Sequence, residues 1–107
     1  MQVQVNSGDG IRMSDDLSRK IEAILENRLG RFDKRLTRVE VHLSDENAAK
    51  GGDTDKRCMI EARPNGHTPI AVTDQAGSVD VAVSGAAQRL ERKLENLFGK
   101  LSDRAVG

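Results

Sequence analysis

Residues 78–101 read SVDVAVSGAAQRLERKLENLFGKL, and this stretch decides the fold. Its apolar residues recur every three or four positions, which is the spacing of one buried helix face. They are Val79, Val83, Ala86, Leu90, Leu94, Leu97 and Leu101. Ser78 stands just before this stripe and is the predicted N-terminal cap. The pattern therefore predicts a long amphipathic helix that packs one face against the rest of the chain.

Upstream of this helix, four short segments alternate polar and apolar residues, the period of a strand with one buried face. The segments are residues 2–6, 38–43, 57–63 and the run around Ile70 and Val72. Pro64-Asn65-Gly66 separates the third from the fourth and is typical of a tight turn, because Pro fixes φ and Gly accepts positive φ. Pro69 lacks an N–H group, so the fourth strand is predicted at an edge of the sheet.

A second helix is predicted between the first two strands. Ser14 is its candidate N-cap, and acidic residues follow in the first turn, where the helix dipole favours them. The apolar stripe runs through Leu17, Ile21, Ile24, Leu25 and Leu29. Because Phe32 and Leu36 extend the same stripe beyond Gly30, we place the end of this helix between residues 30 and 35.

The order β-α-β-β-β-α predicts an α+β fold with a four-stranded sheet and two roughly parallel helices on one face. The first two strands are expected to be parallel neighbours joined by a right-handed crossover, and the next two to return as hairpins. Both helices then end at the same end of the sheet. We expect one domain over residues 1–107, with an ordered core at about 1–101, a flexible loop at 45–55 and a short tail at 102–107.

Composition narrows the class of protein. The 17 basic and 17 acidic side chains cancel, and there is no Trp or Tyr, so the core must consist mainly of aliphatic residues. No apolar run approaches the roughly 20 residues that span a membrane, and no charged-then-apolar leader opens the sequence. The single Cys58 excludes an internal disulfide and suits a reducing compartment. We therefore expect a cytoplasmic protein without membrane partners.

The charges are segregated along the chain. Residues 28–38 contain five cations against one acid, whereas residues 45–55 contain four acids against one Lys. Parallel helices would bring the cations near their C-terminal ends together, and a positive surface of this kind grips phosphate. The predicted RNA-binding residues are Arg28, Arg31, Lys34, Arg35, Arg38, Arg89, Arg92, Lys93 and Lys100.

Each of these cations also has an ordinary explanation. A cation near a helix C-terminus stabilises the helix by about 0.3–1 kcal/mol through the helix dipole. Glu91 and Glu95 can pair with the cations across the helix surface. From the residues alone, a nucleic-acid interface and a solvated helix surface both remain open.

The sequence does not predict catalysis, a cofactor or a metal site. In the predicted strands His42 points to the open sheet face and Cys58 to the helix-covered face, so the two cannot share an ion. Cys58 is predicted to be a small buried apolar residue, and His67, after the turn glycine, a surface residue. Asp53-Thr54-Asp55 lacks the Gly and the terminal Glu of a calcium loop. We therefore expect a protein that is not an enzyme.

Three stretches resemble the short ribosome-hibernation factors, the family of hibernation-promoting factor and ribosome-associated inhibitor A, also called sigma-54 modulation proteins. They are MQVQV at residues 1–5, LTRVEVHL at 36–43 and RLERKL at 89–94, which matches a basic–Leu–x–Arg–x–Leu run in the last helix of the family. The resemblance implies a fold like that of double-stranded RNA-binding domains. It also implies binding to the small ribosomal subunit at the decoding region, blocking mRNA and tRNA in stationary phase or stress.

Carried over by position, the RNA-contacting role falls best on Arg89, Arg92 and Lys93, and more loosely on basic positions near the end of the first helix. The chain departs from the family in its zero net charge, in Asp80 where an aromatic residue is common, and in the acidic loop at 45–55. Fewer net cations predict a shallower salt dependence and weaker RNA binding.

The partners implied are the small ribosomal subunit and its rRNA, with no small-molecule substrate and with a monomer favoured. Two alternatives have little RNA affinity. One is a protein-interaction adaptor that uses the acidic loop on a basic partner. The other is a homodimer formed through the free edge of the sheet.

Overall fold

The computed structural model describes residues 1–8, 10–46 and 56–106, with the side chains of the last helix described through residue 99. The elements in chain order are β1 (Gln2–Ser7), α1 (Asp15–Leu29), a 3₁₀ segment (Gly30–Arg35), β2 (Leu36–Asp45), β3 (Lys56–Pro64), β4 (Ile70–Ala76) and α2 (Val79–Val106). The predicted α+β order β-α-β-β-β-α is thus confirmed.

The four strands form one mixed sheet in the order β1-β2-β3-β4. β1 is parallel to β2, and the β2–β3 and β3–β4 pairs are antiparallel. The register aligns Val5 with Val41, Val41 with Ile60 and Ile60 with Val72, so one face of the sheet is a continuous aliphatic surface. β4 lies at an edge, as the Pro69 that precedes it predicted.

Both helices cover that aliphatic face. Val41 and Ile60 of the sheet and Leu90 of α2 are all fully buried. Burying a Val, Leu or Ile side chain contributes about 1.5–3 kcal/mol, so this layer is the main source of stability. Arg38 and His42 alternate with the buried positions of β2 and lie on the open face, as the strand period predicted.

The two helices run in the same direction. Lys20 Nζ of α1 lies 3.7 Å from Asp80 Oδ2 at the start of α2, and Arg28 Nη1 lies 3.2 Å from Glu91 Oε1 farther along. Because the contacts advance along both helices together, the helices are parallel, and their C-terminal ends share one end of the sheet.

α1 begins where the sequence predicts. The Leu17 amide donates to Ser14 Oγ at 3.1 Å, which makes Ser14 the N-cap. The α-helical turns end at Leu29, and the backbone then tightens into the 3₁₀ segment. Phe32 and Leu36 remain buried, so the apolar stripe does continue beyond the glycine, in a tighter helix that ends at residue 35.

The β3–β4 turn packs against the end of the 3₁₀ segment. Gly66 has φ +77°, and the His67 amide donates to the Pro64 carbonyl at 3.2 Å. The Asn65 amide donates to the Arg35 carbonyl at 2.9 Å, and its side-chain amide donates to the Lys34 carbonyl at 3.1 Å. These bonds fix the backbone that carries two of the predicted RNA-binding cations.

Two predicted boundary segments lie partly outside the described residues. Of the loop predicted at 45–55, residues 47–55 are not described, whereas Asp45 ends β2 and its Oδ2 lies 3.0 Å from Lys56 Nζ of β3. The backbone of α2 is helical to Val106, past the predicted end of the ordered core at about 101. Among the described residues no helix is long and apolar enough to cross a membrane.

Candidate nucleic-acid interface

α2 carries charge on two flanks of its buried stripe. Ala86, Leu90 and Leu94 are fully buried against the sheet and α1. One flank faces α1 and the other faces β4, at the edge of the sheet. The predicted RNA-binding residues divide between these flanks, the 3₁₀ segment and the open sheet face.

The flank of α2 that faces α1 carries Glu91 and Glu95, which meet Arg28 of α1 and Arg31 of the 3₁₀ segment. We call these four residues the helix seam. Glu91 accepts from both arginines, with Oε1 3.2 Å from Arg28 Nη1 and Oε2 3.4 Å from Arg31 Nη2. Arg31 also pairs with Glu95 Oε1. The side chain of Glu91 is 19% exposed, so its charge is well shielded from water and neutralised by the two guanidinium groups. The sequence left open whether Glu91 and Glu95 pair with the nearby cations, and in the seam they do.

The flank toward β4 forms what we call the β4 groove, a cleft of about 340 Å³. Its lining residues are Ala71, Val72, Thr73, Arg89, Arg92 and Lys93. All three cations are exposed, and Arg89 has one acidic neighbour, with Nη2 3.8 Å from Asp74 Oδ1. Within the described part of the chain, Arg92 and Lys93 have no acidic group within 4.0 Å. The cations of the matching stretch 89–94 thus line an open cleft.

Asp74 lies under α2 because Gly85 leaves space for it. A Cβ at Gly85 would stand 1.6 Å from Asp74 Oδ2, so any larger residue would displace the carboxylate. Asp74 is also the cross-strand partner of Cys58, which is fully buried. Burial, and then the Asp74 charge, raise the pKa of Cys58 from 9.0 to about 12. The predicted role of Cys58 as a buried apolar residue is confirmed.

The 3₁₀ segment and α2 meet in an aromatic cluster at the C-terminal end of the helices. The rings of Phe32 and Phe98 are 5.5 Å apart, and the guanidinium groups of Arg31 and Arg35 lie 4.4 and 4.9 Å from the centroids of Phe32 and Phe98. Lys34 and Arg35 are exposed, without an ion pair among the described residues. Sequence reasoning missed this stacking, although the signal was present: of the two phenylalanines, one lies within the basic stretch 28–38 and the other within the last helix.

Two predicted residues are not brought to these surfaces. Arg38 lies on the open sheet face, where it pairs with Glu40 at 2.8 Å and with the Gln4 side chain, and its buried Nε has no partner in the described structure. Lys100 lies beyond the last described side chain. Within the described residues, no three His, Cys, Asp or Glu side chains are placed to hold a metal ion.

A second groove, which we call the β1 groove, lies at the opposite edge of the sheet between β1 and α1. Its volume is about 620 Å³, and its charged lining is mainly acidic, with Glu22, Glu26 and Asp33 beside Arg19. The N-terminal amine lies 2.8 Å from Asp33 Oδ1. The two sheet edges are therefore both grooved, with opposite predominant charge.

Comparison with known proteins agrees with this fold. The sequence pattern of the family described as sigma 54 modulation protein / S30EA ribosomal protein matches residues 5–102, whereas no curated protein matches the chain. The structure is similar to the N-terminal domain of Protein Y from Thermus thermophilus, with a TM-score of 0.68 and 20% identity, covering 91% of this chain and 99% of that one. It is also similar to a ribosomal subunit interface protein from Coxiella burnetii, with a TM-score of 0.76 and 15% identity, covering 92% of this chain and 99% of that one.

At such low identities these two likenesses establish the fold, and the family follows from the sequence pattern, which spans nearly all of the chain. The resemblance found in the sequence is thereby confirmed. The chain belongs to the sigma 54 modulation protein / S30EA ribosomal protein family, whose members are ribosome-associated and not enzymes.

Proposed function

We propose that this protein is a cytoplasmic ribosome-hibernation factor that binds the small ribosomal subunit at the decoding region. It inhibits translation by occupying the space that mRNA and tRNA need, without chemistry of its own. Family membership supports the ribosome as partner. The structural relative described as a ribosomal subunit interface protein supports a position between the subunits.

The observation that carries the proposal is the set of three exposed cations in the β4 groove, Arg89, Arg92 and Lys93. The backbone rise from Arg89 to Lys93 is about 6 Å, so the three charges form a short track along α2. Each phosphate that such a cation neutralises releases condensed counterions, which favours binding at low salt. Phosphate contacts of this kind position a protein on RNA without reading its sequence.

The exposed Lys34 and Arg35 of the 3₁₀ segment extend the proposed contact. Stacking of Arg35 on the Phe98 ring restricts the guanidinium before binding, so less conformational entropy is lost when it meets a phosphate. The Asn65 hydrogen bonds to the carbonyls of Lys34 and Arg35 hold their backbone in place. Both features favour a preformed surface rather than one that orders on contact.

The test reverses the three groove charges together, as Arg89→Glu, Arg92→Glu and Lys93→Glu. Because three phosphate contacts become repulsive, we expect affinity for purified small subunits to fall about a hundredfold or more. Co-sedimentation over a salt series measures the loss, and circular dichroism checks that the helices remain folded.

A matched control reverses three exposed cations elsewhere, Arg12, Arg19 and Arg57, and changes the net charge by the same amount. We expect this control to lose less than about tenfold, since only long-range attraction changes. Equal losses in both variants would reject the groove as the contact surface. Ribosome binding that persists at high salt would instead favour the alternative of a protein–protein interface.

A further inference from the structure

We infer that the helix seam is excluded from RNA contact, so that the β4 groove, with Lys34 and Arg35, binds the phosphates while Arg28 and Arg31 serve only to join the helices. This inference rests on the proposed function. It divides the basic residues near the helix C-termini into a group that binds RNA and a group that binds the protein itself.

The charge balance of the seam is the first argument. Two arginines face two glutamates, and the carboxylate of Glu91 is shared by both guanidinium groups. A phosphate that approached the remaining N–H groups of Arg28 or Arg31 would stand beside the carboxylates of Glu91 and Glu95. These repel it as like charges, and the four charges of the seam sum to zero, so the seam offers a polyanion no net attraction.

The restraint on Arg31 is the second argument. Its guanidinium is held by both seam glutamates, whereas Arg35 has no acidic partner among the described residues. Arg28 is joined to Glu91, the least exposed acid of the cluster, where the ion pair is screened less than at an open surface. The seam is thus a charge-balanced clamp that joins α1 and the start of the 3₁₀ segment to α2.

The helical repeat explains how one short stretch makes two different surfaces. At 3.6 residues per turn, positions two apart differ by about 200° around the axis, so Glu91 and Arg89 lie on opposite flanks of α2. Positions four apart lie on the same flank, which places Glu95 with Glu91 and Lys93 with Arg89. The alternation of acids and bases in residues 89–95 is therefore sorted in space, with acids toward α1 and bases toward β4.

The test compares two variants that each remove two cations and two acids, so that net charge is unchanged. The seam variant is Arg28→Gln, Arg31→Gln, Glu91→Gln and Glu95→Gln. The groove variant is Arg92→Gln and Lys93→Gln with Glu22→Gln and Glu26→Gln, two exposed acids of α1. Dissociation constants for purified small subunits are measured from low to high salt, with circular dichroism as the check on folding.

We expect the seam variant to bind within about twofold of the unmodified protein, with the same salt slope. We expect the groove variant to lose affinity and its salt slope to fall by about 1.5, as the loss of two phosphate contacts requires. If the seam variant loses tenfold in affinity and its slope also falls, Arg28 and Arg31 contact RNA and the inference is wrong, while the proposed function stands.

A second variant covers the case in which the uncharged seam weakens the fold. Swapping the charges, as Arg28→Glu, Arg31→Glu, Glu91→Arg and Glu95→Arg, keeps opposite charges facing each other at the same net charge. This variant too should bind within about twofold. Strong loss in a folded swapped variant overturns the inference. Absence of any salt-dependent binding by the unmodified protein overturns the proposed function and the inference together.

Discussion

The β4 groove and the β1 groove have the same construction and opposite charge. Each lies between a helix and an edge strand, but the β4 groove presents Arg89, Arg92 and Lys93, whereas the β1 groove presents mainly Glu22, Glu26 and Asp33. A molecule with zero net charge therefore has a charge gradient across the width of its sheet. Such a gradient orients the protein as it approaches a polyanion, which net charge alone does not predict.

The two edges also differ in how closely the helix packs on the strand. Gly85 lets α2 approach β4 so closely that the Asp74 side chain fills the position a Cβ would take. Val3 of β1 is only partly buried and lines the β1 groove, which has the larger volume. How closely each helix packs on its edge strand should therefore be measurable separately from the charge of the two grooves.

Thiol reactivity should separate the β1 edge from the interior of the sheet beside β4 by the largest factor. The pKa of Cys58 is about 12 rather than 9.0, so near pH 8 its thiolate population is about a thousandfold lower than that of an unfolded thiol. We expect a thiol reagent to label native Cys58 extremely slowly and the denatured chain readily. In a Cys58→Ala background, Val3→Cys should react much faster, and equal rates at the two positions would contradict the difference in packing.

The same pKa sets the direction of one pH effect. Because the folded thiol has the higher pKa, its contribution to stability is fully present below pH 9 and is lost as pH rises from about 9 to about 12, where the unfolded thiol ionises first. Asp74→Asn removes the second cause of the shift and should lower the pKa of Cys58. A titration of the thiol by ultraviolet absorbance tests this direction.

Reversing the acidic groove should have an intermediate effect and remove the gradient. Glu22→Lys with Glu26→Lys makes both edges basic, and we expect binding to a non-specific RNA duplex to tighten about tenfold at low salt, with a steeper salt slope. Glu22→Gln with Glu26→Gln is the matched control and should gain less. Unchanged duplex affinity in the lysine variant would show that a polyanion does not reach this edge.

The smallest effect should come from the glycine under α2. Gly85→Ala gains about 1 kcal/mol of helix propensity but forces Asp74 out of its position, and overpacking costs about 1–3 kcal/mol, so we expect a net loss near 1 kcal/mol in urea unfolding. Gly99→Ala is the control, because a Cβ there has no atom within 4 Å, and it should stabilise the protein. In an Asp74→Ala background, Gly85→Ala should become stabilising; a loss in that background as well would contradict the proposed contact.

Much of the fold could be predicted because local patterns and tertiary packing agree. The apolar stripe through Val83, Leu90 and Leu94 must be shielded from water by another apolar surface. The alternation of polar and apolar residues at 38–43 provides that surface, as one apolar face of the sheet. The change from α-helix to 3₁₀ helix at Gly30 was less visible. Both helix types keep Phe32 on the buried side, so the apolar period did not distinguish them.

The candidate site was only partly predictable, because ion pairs between distant residues depend on helix rotation. The sequence placed the cations near the ends of two parallel helices, where α2 brings its own acids toward Arg28 and Arg31. The charges of the helix seam therefore cancel locally, whereas the β4 groove keeps its exposed cations. The shared flank of Arg89 and Lys93, by contrast, follows from the helical repeat alone, since residues four apart share a helix face.

The parallel pairing of β1 also affects how the chain acquires its structure. β1 bonds only to β2, which follows it after the whole of α1, whereas β2 pairs with β3 and β3 pairs with β4, each the next strand in the chain. A chain synthesised from its amino terminus thus produces this strand long before the partner it requires, and closing that long loop carries an entropic penalty. This strand is accordingly the last of the sheet to dock, and it is also the strand whose amides should exchange soonest with solvent.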